Sequence, residues 1–429
     1  MDFCQLTAHE CKELIAKKEL SSYELTNSFL QRIEEVEEQV KAFNTVAKDE
    51  ALAQAKKVDE KIKGGEIADS LAGIPLAIKD NICTEGFKTT CSSKMLNNFI
   101  PPYNATVVTK LLQAGNIIIG KTNMSEFGIG SSLEGSAKAV ANNEAVFSVS
   151  TDTSGEILRS AGFYGLVGLK PTYGAVSRYG LIATASTLDQ IGPITKDVTD
   201  CALVMNLLAG FDSLDSTSAN IDYPDYTQFL VNDIKGMRIG VLREHLEEGM
   251  IKNAAKKLED LGMVVEEISL PYSEFTLPAF EVIKACETSS NLARFDGVRF
   301  GYRTEGAEDV LSMFCRTRAE GFGSEVKEQI LSGTYYLTGD NYNTYYLKAL
   351  KVRALIKNAL EEVFKKYDCL LMSTQQDTSA ILANLVGLPA LNVPFGQLDN
   401  KPLGIQFMGK VFSEGTLLKI AYNLEQGRE

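Results

Sequence analysis

The sequence predicts an α/β protein: one large mixed domain with a helical N-terminal part. Three observations carry that expectation. From residue 73 onward, short apolar runs ended by glycine or polar residues alternate with amphipathic stretches. Before residue 65 the apolar spacing is helical throughout. The chain has 429 residues, 45% hydrophobic and 23% charged, enough apolar side chains for a large core.

Residues 6 to 64 read as three helices. In "SSYELTNSFLQRIEEVEEQVKAF", Ser21 stands three residues before Glu24, the spacing of a capping box. Leu25, Phe29, Ile33 and Val36 then recur on one helical face. "VAKDEALAQAKKVDEKIKGG" reads as the third helix, stopped by Gly64 and Gly65. These helices are expected to pack on the outside of the main body. "GIPLAIKDNI" reads as a buried strand, "ATVVTKLLQAG" as a helix ended by Gly115, and "NIIIGKTN" as a second buried strand. Strand, helix and strand in succession imply a parallel pair joined by a crossover. "AVFSVSTDTSG" is a further strand running into a turn of small residues. "IKGMRIGVL" and "MVVEEISL" flank a helix at 250 to 262, 311 to 366 is largely helical, and "LVGLPALNVPFG" and "KPLGIQFMGK" return to strand. The expected division is an N-terminal helical part over 1–65 and an α/β domain over 66–429, together one structural unit.

Composition excludes several classes. A net charge of −13 and a pI near 4.9 do not suit a binder of nucleic-acid backbone, so nucleic acid would be held by a partner. No apolar run approaches the ~18 residues of a membrane span, and the N-terminus lacks a signal-peptide core, so a cytoplasmic protein without membrane contact is expected. Eight cysteines are scattered without CxxC pairs and read as reduced thiols. The two histidines, His9 and His245, lie outside any glycine- or acid-rich motif and read as ordinary surface residues. Neither a Ser-His-Asp mechanism nor a histidine-ligated metal is expected, and no cofactor.

Several long segments resemble the amidase signature family, and more narrowly the A-type subunits of the tRNA-dependent glutamine amidotransferases. They are "GIPLAIKDNICTEGFKTTCSSKML", "PPYNATVVTKLLQAGNIIIGKTNMSEFGIGSS", "GLVGLKPTYGAVSRYGLIATASTLDQIGPITKDV", "SSNLARFDGVRFGYR" and "VGLPALNVPFG", spread over nearly the whole chain. The resemblance implies a large mixed twisted β-sheet covered by helices on both faces. It also implies a Ser-cisSer-Lys triad, in which a lysine base draws a proton through a bridging serine from a nucleophilic serine. Backbone N–H groups of the preceding turn hold the oxyanion. Partners resembling the B- and C-type subunits would follow, with tRNA engaged only through them.

Residue by residue, Lys79 in "AIKDN" matches the catalytic lysine. The family's turn, G-S-D-T-G-G-S-I-R, here reads S-T-D-T-S-G-E-I-L over 150–158, with Thr153, Ser154 and Gly155 as the oxyanion turn and Glu156 at the nucleophile position. Leu158 replaces an arginine. A single "GSSLEGSAKAVA" stands for two family stretches, matching one at its start and the other at its end. Within it Ser132, 24 positions before Glu156, has the bridging serine's spacing, followed by Leu133 and Glu134 where the family has small residues. "LLMSTQQDTSAILANLVGLPALNVP" is shortened, and Asp377 has no recognisable counterpart in the family's substrate-holding segment. Arg353 matches an arginine implied to bind the glutamine carboxylate, though a solvated charge on an amphipathic helix reads equally well. Tyr302, or Phe300 beside it, falls near a substrate-side tyrosine.

An ionised carboxylate in an apolar site costs several kcal/mol unless paired. The expectation is therefore a Lys79–Glu156 ion pair, a triad remnant without amidase chemistry, in a structural or regulatory component of an amidotransferase-like complex. The alternatives are an active amidotransferase component, an amidase-fold enzyme rewired around Lys79 with Glu156 or Ser154, or a binding module using the residual pocket.

Overall fold

The structure is a computed structural model that describes all residues except 1, 67–70, 131–133, 247–248, 375–376, 400 and 428–429. Helices α1 (Ala8–Ala16), α2 (Ser22–Val40) and α3 (Lys48–Gly64) form the start of the chain, with a short strand β1 (Phe43–Val46) between the last two. The expected capping box closes α2: Ser21 accepts from Glu24 N and Glu24 from Ser21 N. Gly65, at φ +72°, ends α3 in the left-handed conformation that a glycine adopts without strain. Strand β1 went unseen because "FNTV" is four residues long and half exposed. It forms because the edge of a buried strand offers its free N–H and C=O groups.

The central elements follow: β2 (Pro75–Lys79), α4 (Thr106–Gln113), β3 (Ile117–Thr122), α5 (Gly135–Ala141), β4 (Phe147–Asp152), α6 (Glu156–Tyr164), β5 (Val167–Lys170), β6 (Gln190–Thr195) and α7 (Val198–Leu208). Then come β7 (Arg238–Leu242), α8 (Gly249–Asp260), β8 (Val264–Ile268), and the helices α9 (Thr276–Asn291), α10 (Val310–Gly321), α11 (Ser324–Leu337) and α12 (Leu347–Val363). The chain closes with β9 (Cys369–Ser373), α13 (Asp377–Val386), β10 (Ala390–Leu398), β11 (Lys401–Gly409) and α14 (Glu414–Gln426).

Among the described residues, eleven strands join one sheet in the order β1-β3-β2-β4-β6-β5-β10-β11-β9-β7-β8. The pairs β2–β3, β2–β4, β7–β8 and β7–β9 are parallel, as expected for crossovers, and the rest antiparallel. Alternation along the strands covers both faces with helices. Leu391, Val393, Ile405 and Phe407 pack with Leu417 and Leu418 of α14, while Asn392 and Gly404 meet Gly162 of α6 on the other face. Strands β2, β3 and β4 are buried along their entire length; β2 and β3 open on apolar runs for that reason, while β4 alternates apolar residues with serines.

Candidate active site

Strand β2 ends on Lys79, and the parallel β4 ends on Asp152, so the sheet carries both to one edge. Lys79 is 1% exposed. Its Nζ donates to the Thr151 carbonyl at 3.1 Å and lies 3.1 Å from Oε2 of Glu134. Among the described residues, Lys79 is the cation that faces the Glu134 carboxylate at this distance. Burial raises the Glu134 carboxyl to about 7, against the pull of Lys79 and with the help of the Glu156 and Asp152 charges.

The turn between β4 and α6 is built by Asp152. Its carboxylate accepts from Gly155 N at 2.6 Å, Ile157 N at 2.9 Å and the Asn384 side chain at 2.9 Å. Gly155 takes φ +89°, and Ala380 of α13 lies directly over it. A Cβ at 155 would stand 2.3 Å from the Ala380 Cβ. A glycine is therefore needed here for its conformation and for the close approach. Thr153 is tied to Asp189 by a 2.7 Å bond, and Asp189 also accepts from Thr184 N and Ala185 N.

Glu156 is 5% exposed, and its Oε2 accepts from Thr153 N and Ser154 N, each at 2.7 Å. Burial pushes its carboxyl up, but Lys79, Arg159 and the two backbone donors together hold it below the ordinary carboxylate range. The expected pairing is thus corrected. Lys79 acts on Glu156 as a nearby charge, but the carboxylate at ion-pair distance from Lys79 is that of Glu134. The reason is local. The two N–H groups of the turn lie three and two residues from Glu156 and take its oxygen first, leaving the ammonium to the carboxylate arriving from the opposite segment. Sequence reasoning noted Glu134 only as a bulky neighbour. Its charge within two residues of the bridging-serine position was the available signal. Ser132 itself lies outside the described residues, as does the side chain of Asp377.

The two substrate-side positions lie elsewhere in the packing. Arg353 on α12 donates to Thr187 Oγ1 at 2.8 Å and to the Thr187 carbonyl, and Thr187 is held in turn by Glu287 of α9. Its guanidinium is engaged in an internal network, so it is not the solvated charge that the helix pattern allowed. Tyr302 donates to Glu320 at 2.5 Å and carries Lys94 over its ring, while Phe300 is 39% exposed and packs on Phe99 and Phe295. None of these three touches the Lys79–Glu134–Glu156 group through a hydrogen bond or ion pair among the described residues.

The histidines also differ from their expected surface setting. His245 is 2% exposed, its Nδ1 accepting from Ser373 N, and His9 is half-buried against Asp200 at 2.9 Å and Asp197 at 3.5 Å.

With this geometry in place, comparison with known proteins is direct. The family model described as Amidase matches residues 24–134 and 129–379. The two matched pieces overlap over 129–134. The A-subunit of glutamyl-tRNA(Gln) amidotransferase from Desulforamulus reducens is 50% identical, covering 100% of this chain and 98% of the relative. That alignment spans 477 positions against 429 residues here, so the relative carries residues that this chain lacks. Among solved structures, the A-subunit of glutamyl-tRNA(Gln) amidotransferase from Thermotoga maritima superposes with a TM-score of 0.79 at 33% identity, covering 99% of this chain and 95% of that one. Native peptide amidase from Stenotrophomonas maltophilia gives 0.86 at 29% identity, covering 99% and 97%. A match running from residue 24 to residue 379, on an architecture shared with both of these proteins, places the chain in the amidase family.

Proposed function

We propose that this chain is an amidotransferase A-subunit-like member of its family that has lost glutamine amidase chemistry. It serves as a structural or regulatory component of an amidotransferase-like complex, with B- and C-like subunits as partners and tRNA reached only through them. One observation carries the reading: the Glu156 carboxylate sits on Thr153 N and Ser154 N at 2.7 Å each. An oxyanion-stabilising turn works by offering empty N–H donors to charge that develops during reaction. Here a permanent anion of the chain itself occupies the donors. The same side chain replaces the hydroxyl that attacks, and loss of such a nucleophile costs on the order of a million-fold in turnover. Lys79 Nζ is taken up by the Thr151 carbonyl and by Glu134 Oε2, each at 3.1 Å, so among the described residues it faces groups without a proton to hand over in place of a nucleophile's hydroxyl. Ser154 offers no substitute, because among the described residues its buried Oγ has no hydrogen-bond partner to serve as a base.

The test is glutamate release from glutamine by the purified chain, alone and co-expressed with B- and C-like subunits. The expected result is no release above buffer, unchanged in Lys79→Ala, together with co-purification of the partner subunits. Glutamate release that disappears in Lys79→Ala would overturn the proposal.

A further inference from the structure

Among the described residues, helices α9, α11 and α12 leave an apolar face uncovered. A groove of about 320 Å³ runs between the start of α9 and the start of α12. Its walls are Phe275, Pro278 and Val282 on one side and Tyr345, Ala349 and Val352 on the other. A single π-helical turn, Tyr342–Tyr346, leads into α12 and sets Tyr345 against Tyr335 and Tyr336 of α11, with ring centroids 5.9 and 5.1 Å away. Such wide turns recur at functional sites. Leu331 stands one helical turn before Tyr335 and is 70% exposed, and Tyr335 is 55% exposed. Through Tyr345 the groove and these side chains make one continuous apolar patch, the kind of surface that marks an interaction site. Tyrosine is also over-represented among the residues that dominate binding energy at interfaces.

The rim is basic although the chain carries −13. Lys348 is the one charged side chain that lines the groove, and Lys351 follows three residues on, at the spacing of one helical face. Both lysines are exposed, and neither forms an ion pair or hydrogen bond among the described residues. No acid occurs between residues 341 and 360 to neutralise them.

These features separate two classes of occupant. Single-stranded nucleic acid stacks its bases on free ring faces, but here the three rings pack on one another at 39° to 63°. The charge of the whole chain also repels phosphates. A protein segment meets both features: an apolar side chain fills the groove, and carboxylates complement the lysines. We infer that this face docks an acidic segment of a partner subunit, which seats an aromatic or aliphatic side chain between Phe275 and Tyr345 and sets carboxylates against Lys348 and Lys351. The inference rests on the complex proposed above and adds the place on this chain where a partner sits.

The experiment measures the affinity of the B- and C-like subunits for the full chain and for three variants of it. Tyr345→Ala removes the apolar wall, and Lys348→Glu with Lys351→Glu reverses the rim. Lys57→Glu with Lys61→Glu makes the same change of net charge on exposed residues of α3, which packs on β3 near the other end of the sheet. All the altered side chains are exposed, and a melting curve of each variant alone shows that the fold is kept. The expected result is binding by the parent chain, weakened about tenfold or more by Tyr345→Ala and by the rim reversal, and unchanged by the substitutions on α3. Subunits that bind the parent and both face variants equally would overturn this inference and leave the proposed complex standing. Equal weakening by the α3 substitutions would also overturn it, since net charge alone would then explain the loss. A parent chain that binds neither subunit would overturn the proposed complex and this inference together. Binding of a uridine oligonucleotide to the chain alone, lost on rim reversal, would give the face to nucleic acid and overturn the protein assignment.

Discussion

Glu134 and Glu156 feel the same lysine and come out differently. Both are nearly or fully buried, and burial is the largest influence on each. Glu156 has two charge-assisted bonds from backbone N–H groups, each worth roughly 1.5–3 kcal/mol, and these with Lys79 and Arg159 keep its carboxyl low. Glu134 has Lys79 and, among the described residues, no backbone N–H donor, and burial raises its carboxyl to about 7. The two acids share Lys79; what Glu156 has in addition is the Arg159 charge and two backbone donors. It follows that Glu156 is also a structural part of the turn. Glu156→Ala leaves Thr153 N and Ser154 N without an acceptor in the interior, at about 1–3 kcal/mol each. The expected loss is about 2–4 kcal/mol of unfolding free energy, read from the midpoint of urea denaturation. Glu156→Gln, which keeps one acceptor oxygen, should lose less. A Glu156→Ala midpoint equal to that of the parent chain would contradict this account.

At the scale of elements, buried polar contacts join segments far apart in sequence. Asp200, in the first turn of α7, accepts from Ala8 N at 2.6 Å and His9 N at 2.9 Å, and so caps α1 across 192 residues of sequence. His9 Nδ1 then closes on the same carboxylate at 2.9 Å. The hydrogen bond to Asp200 raises the His9 imidazole to about 9, with Asp197 and Glu10 adding to it against burial. The folded value lies above the unfolded one, so the clamp stabilises fully below about pH 6.5 and is lost as pH rises through 9. Asp197, pushed up to about 7 by burial and by Asp200, has the same sign. His9→Gln should therefore lower the melting temperature by about 1–3 °C at pH 6 and by nothing measurable at pH 10. A penalty that does not change between those two values would rule out a protonated clamp. None of this was visible in the sequence, which marked His9 as a surface residue. What was legible had local causes: the Ser21–Glu24 box, the glycine stop of α3, and strands β2 and β3, whose burial on both faces makes them open on apolar runs. The motifs of Lys79 and of the 150–158 turn lie near each other because β2 and β4 are parallel neighbours. The partner of Lys79 was not found, because Glu134 reaches it through the crossing of two segments, and no periodicity encodes that.

For the whole molecule, the first 65 residues are built into the main body. Strand β1 extends the sheet by pairing with β3, and Asn44 donates to Asp80, immediately after Lys79. Leu25 and Phe29 of α2 share one core with Leu71, Ile74 and Leu76, while Leu30, Ile33, Ala51 and Val58 share another with Ala77, Ile117 and Ile119. Most of these side chains are fully buried, and burying one of their size is worth roughly 1.5–3 kcal/mol. Removing α1, α2, β1 and α3 would expose the apolar faces of β2 and β3 together with an unpaired strand edge, a template for aggregation. We therefore expect the full chain to unfold in a single calorimetric transition. A chain starting at residue 66 should be insoluble, or bind a hydrophobic dye in an expanded state. Two resolved transitions, or a soluble 66–429 fragment with a sharp melting curve of its own, would show that the N-terminal part is a separate unit resting on the sheet. That result would locate the stability of the sheet in its central strands alone, despite the cores that α2 and α3 complete.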